Sequence, residues 1–273
     1  MTLFFTGHRG FLGRELIPIL SKDYEVVVFE GELSNFKKVE HFCDVNKVDK
    51  IIHAAVRGGR RNKFDTPQTL IDNLSASINV LRTSIPSLIF CSGAVYDRNL
   101  SIDSLAEDHS SRSFPSDFYG QSKFIINQLV QLEKQITTFR FFNVFGPTEG
   151  LDRFISFNID QYIRRKPMII FKDFYMDFFY VGDACKMVRK WIDNENMPKE
   201  LNLVYEKKHL LSEVCKLINS LDSYNVPIEF DESGLGMNYT GSHTRISSYS
   251  SDFQGLEYGI RAIYGHLLQL RNS

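Results

Sequence analysis

Short apolar runs bounded by turn residues alternate along the chain with longer helix-like segments. The apolar runs predict buried strands, and apolar residues that recur three or four positions apart, as in residues 118–135, predict amphipathic helices. The predicted strands are residues 3–6, 25–29, 48–55, 87–92 and 137–145, and the predicted helices are residues 66–84, 118–135, 153–165, 183–195 and 210–221. This alternation predicts an α/β fold, a doubly wound parallel sheet of the Rossmann type that is covered by helices.

The pattern changes after Gly146 and Pro147, where the alternation becomes less regular and polar loops occupy residues 148–153 and 222–244. We therefore expect a Rossmann domain in residues 1–146 and a smaller C-terminal α/β region in residues 147–273. Segments around 169–195 and 200–205 are expected to return to the Rossmann domain.

The composition is that of a globular chain without a strong charge bias. The 273 residues are 43% hydrophobic, and 32 basic residues against 33 acidic ones give a formal net charge of -1. This balance gives no reason to expect nucleic acid or an anionic membrane surface as a partner. The four cysteines lack the paired spacing of a metal site, so we expect no metal and no disulfide. The first residues do not resemble a signal peptide, and no apolar run approaches the roughly 20 residues that cross a bilayer, so we expect a cytoplasmic protein.

Three glycines lie in the sequence TGHRGFLG, between the first predicted strand and the helix-like segment that follows it. Small residues at such a junction let the backbone turn tightly and approach a pyrophosphate, whose charge then lies at the N-terminus of the helix. The motif therefore predicts a dinucleotide-binding turn. Its predicted binding residues are Gly7, Arg9, Gly10, Phe11, Leu12 and Gly13.

Glu30, at the end of the second predicted strand, bears on which dinucleotide binds. A carboxylate there accepts a hydrogen bond from a ribose 2′-hydroxyl and repels a 2′-phosphate, which favours NAD(H). Arg9 argues for the other cofactor, because a cation in the glycine turn can bind the 2′-phosphate of NADP(H). Between the two cofactors, NAD(H) is slightly favoured over NADP(H).

A tyrosine and a lysine four residues apart, Tyr119 and Lys123 in YGQSK, lie on one face of a predicted helix. A phenol has a pKa of about 10 and exchanges protons poorly near neutrality unless a neighbouring cation favours its phenolate. Ser92, at the end of the strand predicted for residues 87–92, is a further polar candidate. Taken alone, a serine at a strand end is explained by a hydrogen bond to nearby backbone.

Several motifs follow one another in a fixed order along the chain. They are TGHRGFLG at 6–13, HAA at 53–55, Ser92 before VY, YGQSK at 119–123, RFFNVFGP at 140–147 and DFFYVGDA at 177–184. With these motifs the chain resembles the extended short-chain dehydrogenase/reductases, and more narrowly their branch of nucleotide-sugar epimerases, dehydratases and reductases. Asn73, Glu107 and Pro115 also lie where that family has such residues.

The resemblance implies a role for each of these residues. Tyr119 would be the general acid/base, Lys123 would lower the pKa of Tyr119 and hold the nicotinamide ribose, and Ser92 would hydrogen-bond the reacting oxygen. Ala54 and Ala55 would join Tyr119 and Lys123 as cofactor contacts, and residues 147–273 would mainly bind substrate. The implied partner is a nucleotide sugar, and relatives commonly form homodimers.

Residues 93 and 94 narrow the chemistry that the resemblance implies. Dehydratases of the family carry Asp-Glu there and decarboxylases keep the glutamate, whereas this chain has Gly93 and Ala94. Fucose synthases share the GHRG start but epimerise with a cysteine at the position of Ala94 and a histidine near Arg153 and Phe154. Hydride transfer alone remains, so we expect NAD(P)H-dependent reduction of a keto group, at C4, on a nucleotide-activated sugar. A 4-epimerase with retained NAD is the alternative, and a non-catalytic NAD(P)-binding regulator is a third interpretation.

The cations that relatives use for the substrate diphosphate are missing. Met176 stands where they have one arginine, and no second one is evident near Ser233 and Gly234. The predicted substrate contacts are Ala94, Asn143, Arg57 and Arg245, with Arg60 and Arg61 as further cations in AAVRGGRR.

Overall fold

The computed structural model describes residues 1–59, 64–111, 113–193 and 196–272. The strands in chain order are β1 (Thr2–Thr6), β2 (Glu25–Val28), β3 (Lys50–His53), β4 (Ser87–Ser92), β5 (Ile102–Leu105), β6 (Ile136–Phe141), β7 (Val144–Phe145), β8 (Met168–Ile170), β9 (Tyr175–Met176), β10 (Phe179–Tyr180), β11 (Glu200–Leu203), β12 (His209–Leu210), β13 (Ile228–Phe230) and β14 (Tyr239–Gly241). The helices are α1 (Phe11–Leu20), α2 (Phe36–Val45), α3 (Pro67–Arg82), α4 (Phe118–Leu132), α5 (Phe154–Ile163), α6 (Val181–Asp193), α7 (Leu211–Asn219) and α8 (Gly255–Asn272).

Six strands form one parallel sheet in the order β11-β6-β4-β3-β1-β2. Its central strands are buried along their whole length, because helices cover both faces of the sheet. Consecutive residues of β1 serve opposite faces. Phe5 packs with Leu16 of α1 and with α6, whereas Phe4 packs with Val39 of α2 and Val80 of α3. The predicted doubly wound Rossmann-type sheet is thus confirmed.

The order of the strands creates a crevice at one edge of this sheet. The chain passes from β1 through α1 to β2 on one side, and then through α2 to β3 on the other side of β1. Adjacent loops therefore leave the carboxyl ends of β1 and β3 in opposite directions, and the space between them is where open α/β sheets bind ligands.

The smaller sheets are built from both halves of the chain. One has the order β12-β9-β14-β5, and the two others pair β13 with β8 and β10 with β7. β5 lies within residues 1–146 but pairs with β14. β8 and β9 lie in these small sheets too, so the part of the segment 169–195 that reaches the main sheet is α6, which packs on α1. β11 pairs with β6 in the main sheet, within the segment 200–205.

Two element predictions differ from the structure for one physical reason. Residues 137–145 were expected to be one strand, but β6 ends at Phe141 and β7 leaves the main sheet to pair with β10. Residues 222–244 were expected to be a loop, but they contain β13 and β14. These strands of two or three residues depend on partners that are distant in the chain, and their own sequences carry too few positions for a periodic pattern.

No helix within the described parts of the chain is long and apolar enough to cross a membrane.

Candidate active site

The glycine turn after β1 requires glycine for steric reasons. Gly7 has φ +76°, and a Cβ added there would lie 2.7 Å from the Ala55 nitrogen, while one added at Gly13 would lie 2.4 Å from the His8 oxygen. The Gly10 nitrogen donates to the Gly7 carbonyl at 2.9 Å, and α1 begins at the next residue, Phe11. A groove beside the turn is lined by residues 6–10, 29–31 and Leu33. Its tight backbone and helix N-terminus fit the diphosphate of a dinucleotide.

Phe11 and Leu12 support the turn through packing. Both are partly buried against the apolar cluster between the sheet, α1 and α6. Phe11 also lies against the loop after β7, because its Cζ is 3.3 Å from the position of a Cβ built on Gly146.

The ends of β1 and β3 are held together by a buried polar chain. The Thr6 hydroxyl lies 2.8 Å from His53 Nδ1 and accepts a hydrogen bond from the Ala55 nitrogen at 3.1 Å, and His53 Nε2 lies 3.0 Å from the Ser77 hydroxyl. Burial lowers the pKa of His53 to about 3, so its imidazole is neutral near pH 7. These hydrogen bonds hold Ala54 and Ala55 beside the glycine turn, where the sequence predicts a cofactor contact.

Glu30 is paired with both polar side chains of the glycine turn. Its carboxylate accepts a hydrogen bond from the Arg9 guanidinium, and the second carboxylate oxygen lies 3.1 Å from His8 Nε2. Arg9 and Glu30, whose charges favour different cofactors, therefore offset each other in this structure. His8 was not singled out in the sequence, because its role follows only from the return of β2 to the turn.

Ser92, Tyr119 and Lys123 come together at the carboxyl end of β4. Ser92 is the last residue of β4, where its hydroxyl accepts from the Ala94 nitrogen at 3.2 Å and hydrogen-bonds Tyr119. Tyr119 is the second residue of α4, and Lys123 lies one turn later. The Lys123 ammonium donates to the Phe90 carbonyl at 3.0 Å and lies 5.8 Å from the centre of the Tyr119 ring. The structure thus brings the three predicted catalytic side chains into one site.

The surroundings of Tyr119 oppose its ionisation. Burial raises the pKa of the phenol, while the hydrogen bond with Ser92 and the charge of Arg98 lower it. Burial also lowers the pKa of Lys123. A backbone loop covers the ring as well, since a Cβ added at Gly59 would lie 2.7 Å from Tyr119 Cζ. Arg98, which follows the VY sequence, was not identified by sequence reasoning.

The turn after Ser92 leaves no room for larger side chains. A Cβ added at Gly93 would lie 2.6 Å from Phe142 Cδ1 and 2.8 Å from the Tyr239 hydroxyl. Ala94 is 1% exposed. Tyr239 belongs to β14, so the C-terminal region contributes a second phenol next to Ser92. No sequence motif signalled Tyr239.

Asn143 is held from two directions. Its amide nitrogen donates to Met176 Sδ at 3.0 Å, and its amide oxygen accepts from Arg153 Nη2 at 3.1 Å. Arg153 also lies 3.7 Å from the carboxylate of Glu149. Burial raises the pKa of Glu149 to about 7, although hydrogen bonding by Ser156 opposes this. Arg153 thus supplies a cation beside Asn143, close to the position where relatives carry an arginine and this chain has Met176.

The other predicted substrate cations have different surroundings. Arg57 is exposed and forms an ion pair with Asp72 of α3 at 3.1 Å. Arg245 donates to the Glu200 carbonyl at 3.2 Å and lies 3.6 Å from the Glu107 carboxylate. Glu200 begins β11 and is in register with Ile89 of β4 through Thr138 of β6, so these contacts hold Arg245 beside the edge strand of the main sheet. Arg60 and Arg61 lie outside the described residues.

Residues 3–203 match the NAD dependent epimerase/dehydratase family. The chain belongs to this family. This membership confirms the NAD(P)-dependent oxidoreductase that the motifs predicted, with NAD(H) or NADP(H) as its cofactor.

Solved structures of the NAD dependent epimerase/dehydratase fold superpose on nearly the whole chain. A GDP-L-fucose synthetase from Naegleria fowleri has a TM-score of 0.83 at 16% identity, covering 100% of this chain and 94% of its own. A UDP-glucose 4-epimerase from Thermotoga maritima has a TM-score of 0.83 at 17% identity, covering 99% and 100%. A GDP-6-OMe-4-keto-L-xylo-heptose reductase from Campylobacter jejuni has a TM-score of 0.80 at 16% identity, covering 98% of both chains. At these identities the likeness establishes the fold.

Proposed function

We propose that the protein reduces a keto group, at C4, of a nucleotide-activated sugar with NAD(P)H, and that Tyr119 is the proton donor. The observation that carries this proposal is the site itself. It combines Ser92, Tyr119 and Lys123 with a turn at Gly93 and Ala94 that has neither an acid pair nor a cysteine. Such a site can move a hydride and a proton, but it lacks the extra groups that water elimination requires.

Side chains of this protein would supply the proton and would bind the carbonyl oxygen of the substrate. The Ser92 hydroxyl would donate to the carbonyl oxygen and polarise the C=O bond. As the bond is reduced, the Tyr119 hydroxyl would give its proton to the same oxygen, which leaves a phenolate that solvent later reprotonates. Bound NAD(P)H supplies the hydride and becomes NAD(P)+. Lys123, one helical turn from Tyr119, would bind the ribose next to the reacting ring and stabilise the phenolate.

Asn143 and Arg153 are the proposed substrate contacts beside this chemistry. Asn143 has a fixed orientation because both ends of its amide are engaged. Arg153 is partly exposed, at 38% of its side chain, and so can meet an anionic or hydroxyl group of the substrate. Structural neighbours act on GDP-linked and UDP-linked sugars, which supports a nucleotide sugar as the substrate class.

A 4-epimerase with retained NAD is the second candidate, because it uses the same serine, tyrosine and lysine. The fold of the Thermotoga maritima UDP-glucose 4-epimerase matches this chain throughout its length. A non-catalytic NAD(P)-binding regulator is the third, but the presence of both Tyr119 and Lys123 disfavours it.

The three candidates differ in what they do to the cofactor. We would incubate the purified protein with a panel of nucleoside-diphosphate 4-keto-6-deoxy sugars and follow NADH and NADPH oxidation. In a parallel set, 4-hydroxy nucleotide sugars would be incubated with the protein and analysed for their 4-epimers. Stoichiometric oxidation with one sugar supports the reductase. Tightly retained NAD with interconversion of 4-epimers and no net oxidation would replace it with the epimerase. Cofactor binding without turnover of any sugar would favour the regulator.

A further inference from the structure

Arg98 is anchored to the residue that begins the helix of Tyr119. Its Nη2 lies 2.8 Å from one oxygen of the Asp117 carboxylate, and its Nε donates to the other at 3.3 Å. The same carboxylate caps α4 by accepting from the Gly120 nitrogen at 2.8 Å. Asp117 precedes Tyr119 by two residues, so one side chain fixes both the guanidinium and the start of the helix.

This anchor places Arg98 as close to the Tyr119 ring as Lys123 is. The Arg98 guanidinium carbon is 5.9 Å from the centre of the Tyr119 ring, and the Lys123 nitrogen is 5.8 Å from it. The two cations differ in how strongly their surroundings favour the protonated, charged form. Lys123 is buried, donates to the Phe90 carbonyl, and has a lowered pKa. A guanidinium stays protonated in proteins, and Asp117 further raises the pKa of Arg98.

The charged and titratable groups that surround Tyr119 come from several elements. They are Cys91 with Ser92 from β4, Asp65 behind the Gly59 loop, Arg98 with Asp117 before α4, Lys123 from α4 and Tyr239 from β14. Among the residues that the structure describes, two of these groups are cations. Of the two, Arg98 is the one whose position is set by a two-point ion pair.

We propose that Arg98 is a positioning residue for proton transfer, which stabilises the phenolate of Tyr119 to an extent set by its ion pair with Asp117. The proposal rests on the acid role that we propose for Tyr119. It adds a second cation to the lysine of the YGQSK motif and gives a reason for the two contacts between Arg98 and Asp117. Arg98 itself contacts neither the sugar nor the cofactor in this scheme.

Three variants separate the charge of Arg98 from its packing. Arg98→Gln removes the cation, Arg98→Lys keeps it, and Asp117→Asn removes the counter-charge while asparagine still caps α4. We would titrate Tyr119 in the NAD+-bound protein through tyrosinate absorbance, taking the difference from Tyr119→Phe to isolate this one phenol. The oxidised nicotinamide is positively charged and therefore favours the phenolate. The pH profile of kcat/KM for sugar reduction would be measured in parallel.

Arg98→Gln should raise the titration midpoint of Tyr119 by about one pH unit, at the low end of the effect of a cation at this distance because Asp117 offsets part of it. Arg98→Lys should stay near wild type, and Asp117→Asn should lower the midpoint. A midpoint that is unchanged in Arg98→Gln overturns the proposal. If that variant fails to fold, an unchanged or raised midpoint in Asp117→Asn overturns it. The absorbance titration needs no sugar, so shifted midpoints without any turnover would refute the proposed function while leaving the role of Arg98 intact.

Discussion

Tyr119 is half-buried, and its surroundings favour the neutral phenol unless a charge or a hydrogen bond stabilises the phenolate. Burial raises its pKa, and Ser92 and Arg98 lower it. The same phenol is the only group of the proposed mechanism that gives up a proton to the sugar oxygen. Turnover should therefore depend more on the Tyr119 hydroxyl than on any other side-chain group of the proposed mechanism.

Tyr119→Phe should lower kcat for keto-sugar reduction by about 10² to 10⁴, the usual contribution of a positioned acid. Cofactor affinity should change little, because the glycine turn, which we propose as the main cofactor contact, lies on another element. Tyr175→Phe, which removes the hydroxyl of a more exposed tyrosine in β9, is the matched control and should retain normal turnover. Steady-state kinetics and calorimetric NADH binding provide the two readouts. Near-normal kcat in Tyr119→Phe would contradict the assignment.

The pairing of Glu30 with Arg9 predicts how cofactor preference can be changed. Glu30→Ala should free the Arg9 guanidinium for a 2′-phosphate and remove the carboxylate that repels it. A charge-assisted hydrogen bond contributes about 1.5–3 kcal/mol, so the preference should move toward NADPH by about tenfold or more. The ratio of kcat/KM for NADPH and NADH measures this shift. The double variant Arg9→Ala with Glu30→Ala is the control and should lose most of the gain.

Glu149 predicts a pH dependence of stability. Its pKa is 4.5 as a reference value and about 7 in the folded protein. Between these values the unfolded chain releases its proton while the folded protein keeps it, so stability falls as pH rises through this window. Each pH unit of difference corresponds to about 1.4 kcal/mol, so the cost above pH 8 is about 3 kcal/mol.

Glu149→Gln removes this ionisation and retains an acceptor for the Ser156 hydroxyl. Its stability relative to wild type should therefore be higher at pH 8 than at pH 5. Urea denaturation at the two pH values measures the difference directly. If the difference in stability between Glu149→Gln and wild type were the same at pH 5 and pH 8, Glu149 would not titrate between these pH values.

For single residues, the sequence identifies those that belong to motifs and misses those whose role depends on contacts between separate parts of the chain. Ser92, Tyr119 and Lys123 were predicted because they lie in motifs that resemble those of a known family, and the structure brings the three side chains together. Arg98 acquires its position only through Asp117, 19 residues away. No periodicity relates such residues, so only the folded chain shows that they meet.

At the scale of elements, the 3-10 turn that directly follows β4 limits which side chains residue 93 can carry. A Cβ on Gly93 would lie within 3 Å of both Phe142 and Tyr239, and neither ring has a flexible end that could withdraw. Residues 93 and 94 carry no acid pair, and the packing around Gly93 also leaves no room for an acidic side chain at residue 93.

Gly93→Ala should destabilise the protein by about 1–3 kcal/mol, the usual cost of overpacking a buried site. Gly265→Ala is the matched control, because nothing lies within 4 Å of a Cβ there and its position is in the middle of α8. That variant should gain about 0.5–1 kcal/mol, since alanine is the better helix former. Chemical denaturation of both variants gives the comparison. If Gly93→Ala proved as stable as Gly265→Ala, Phe142 and Tyr239 would have to move aside without a cost in stability.

The long elements of the main sheet were predictable, whereas the short strands were not. β1, β4 and the helices α3 and α4 have patterns long enough to reveal their period, and the structure has them within a few residues of the predicted limits. β7, β9, β10 and β12 contain only two residues each. Their existence depends on pairing with distant strands, which is a property of the whole fold.

For the molecule as a whole, the predicted boundary at residue 146 crosses a shared core. One apolar cluster joins Leu3 and Phe5 of β1 to Met187, Val188 and Trp191 of α6. Another joins Val95 and Ile102 to residues of α5, α7 and α8. Most of the packing on one face of the main sheet therefore comes from beyond that boundary.

A chain that ends at Gly146 should fail to unfold cooperatively, because it lacks α6 and β11 and so exposes that face of the sheet. The full chain should show a single transition. Thermal unfolding followed by near-ultraviolet circular dichroism would distinguish them. A sharp transition in the shortened chain would establish residues 1–146 as an independent domain.

The pairing of β5 with β14 also sets an order of events during synthesis. The Thr240 hydroxyl donates to the Ile102 carbonyl across 138 residues of sequence. At the usual rate of translation, β5 would wait on the order of ten seconds or more for its partner to emerge from the ribosome. During that time it is a short edge strand whose Asp103 and Ser104 are exposed, and a charged, polar edge discourages pairing with other nascent chains.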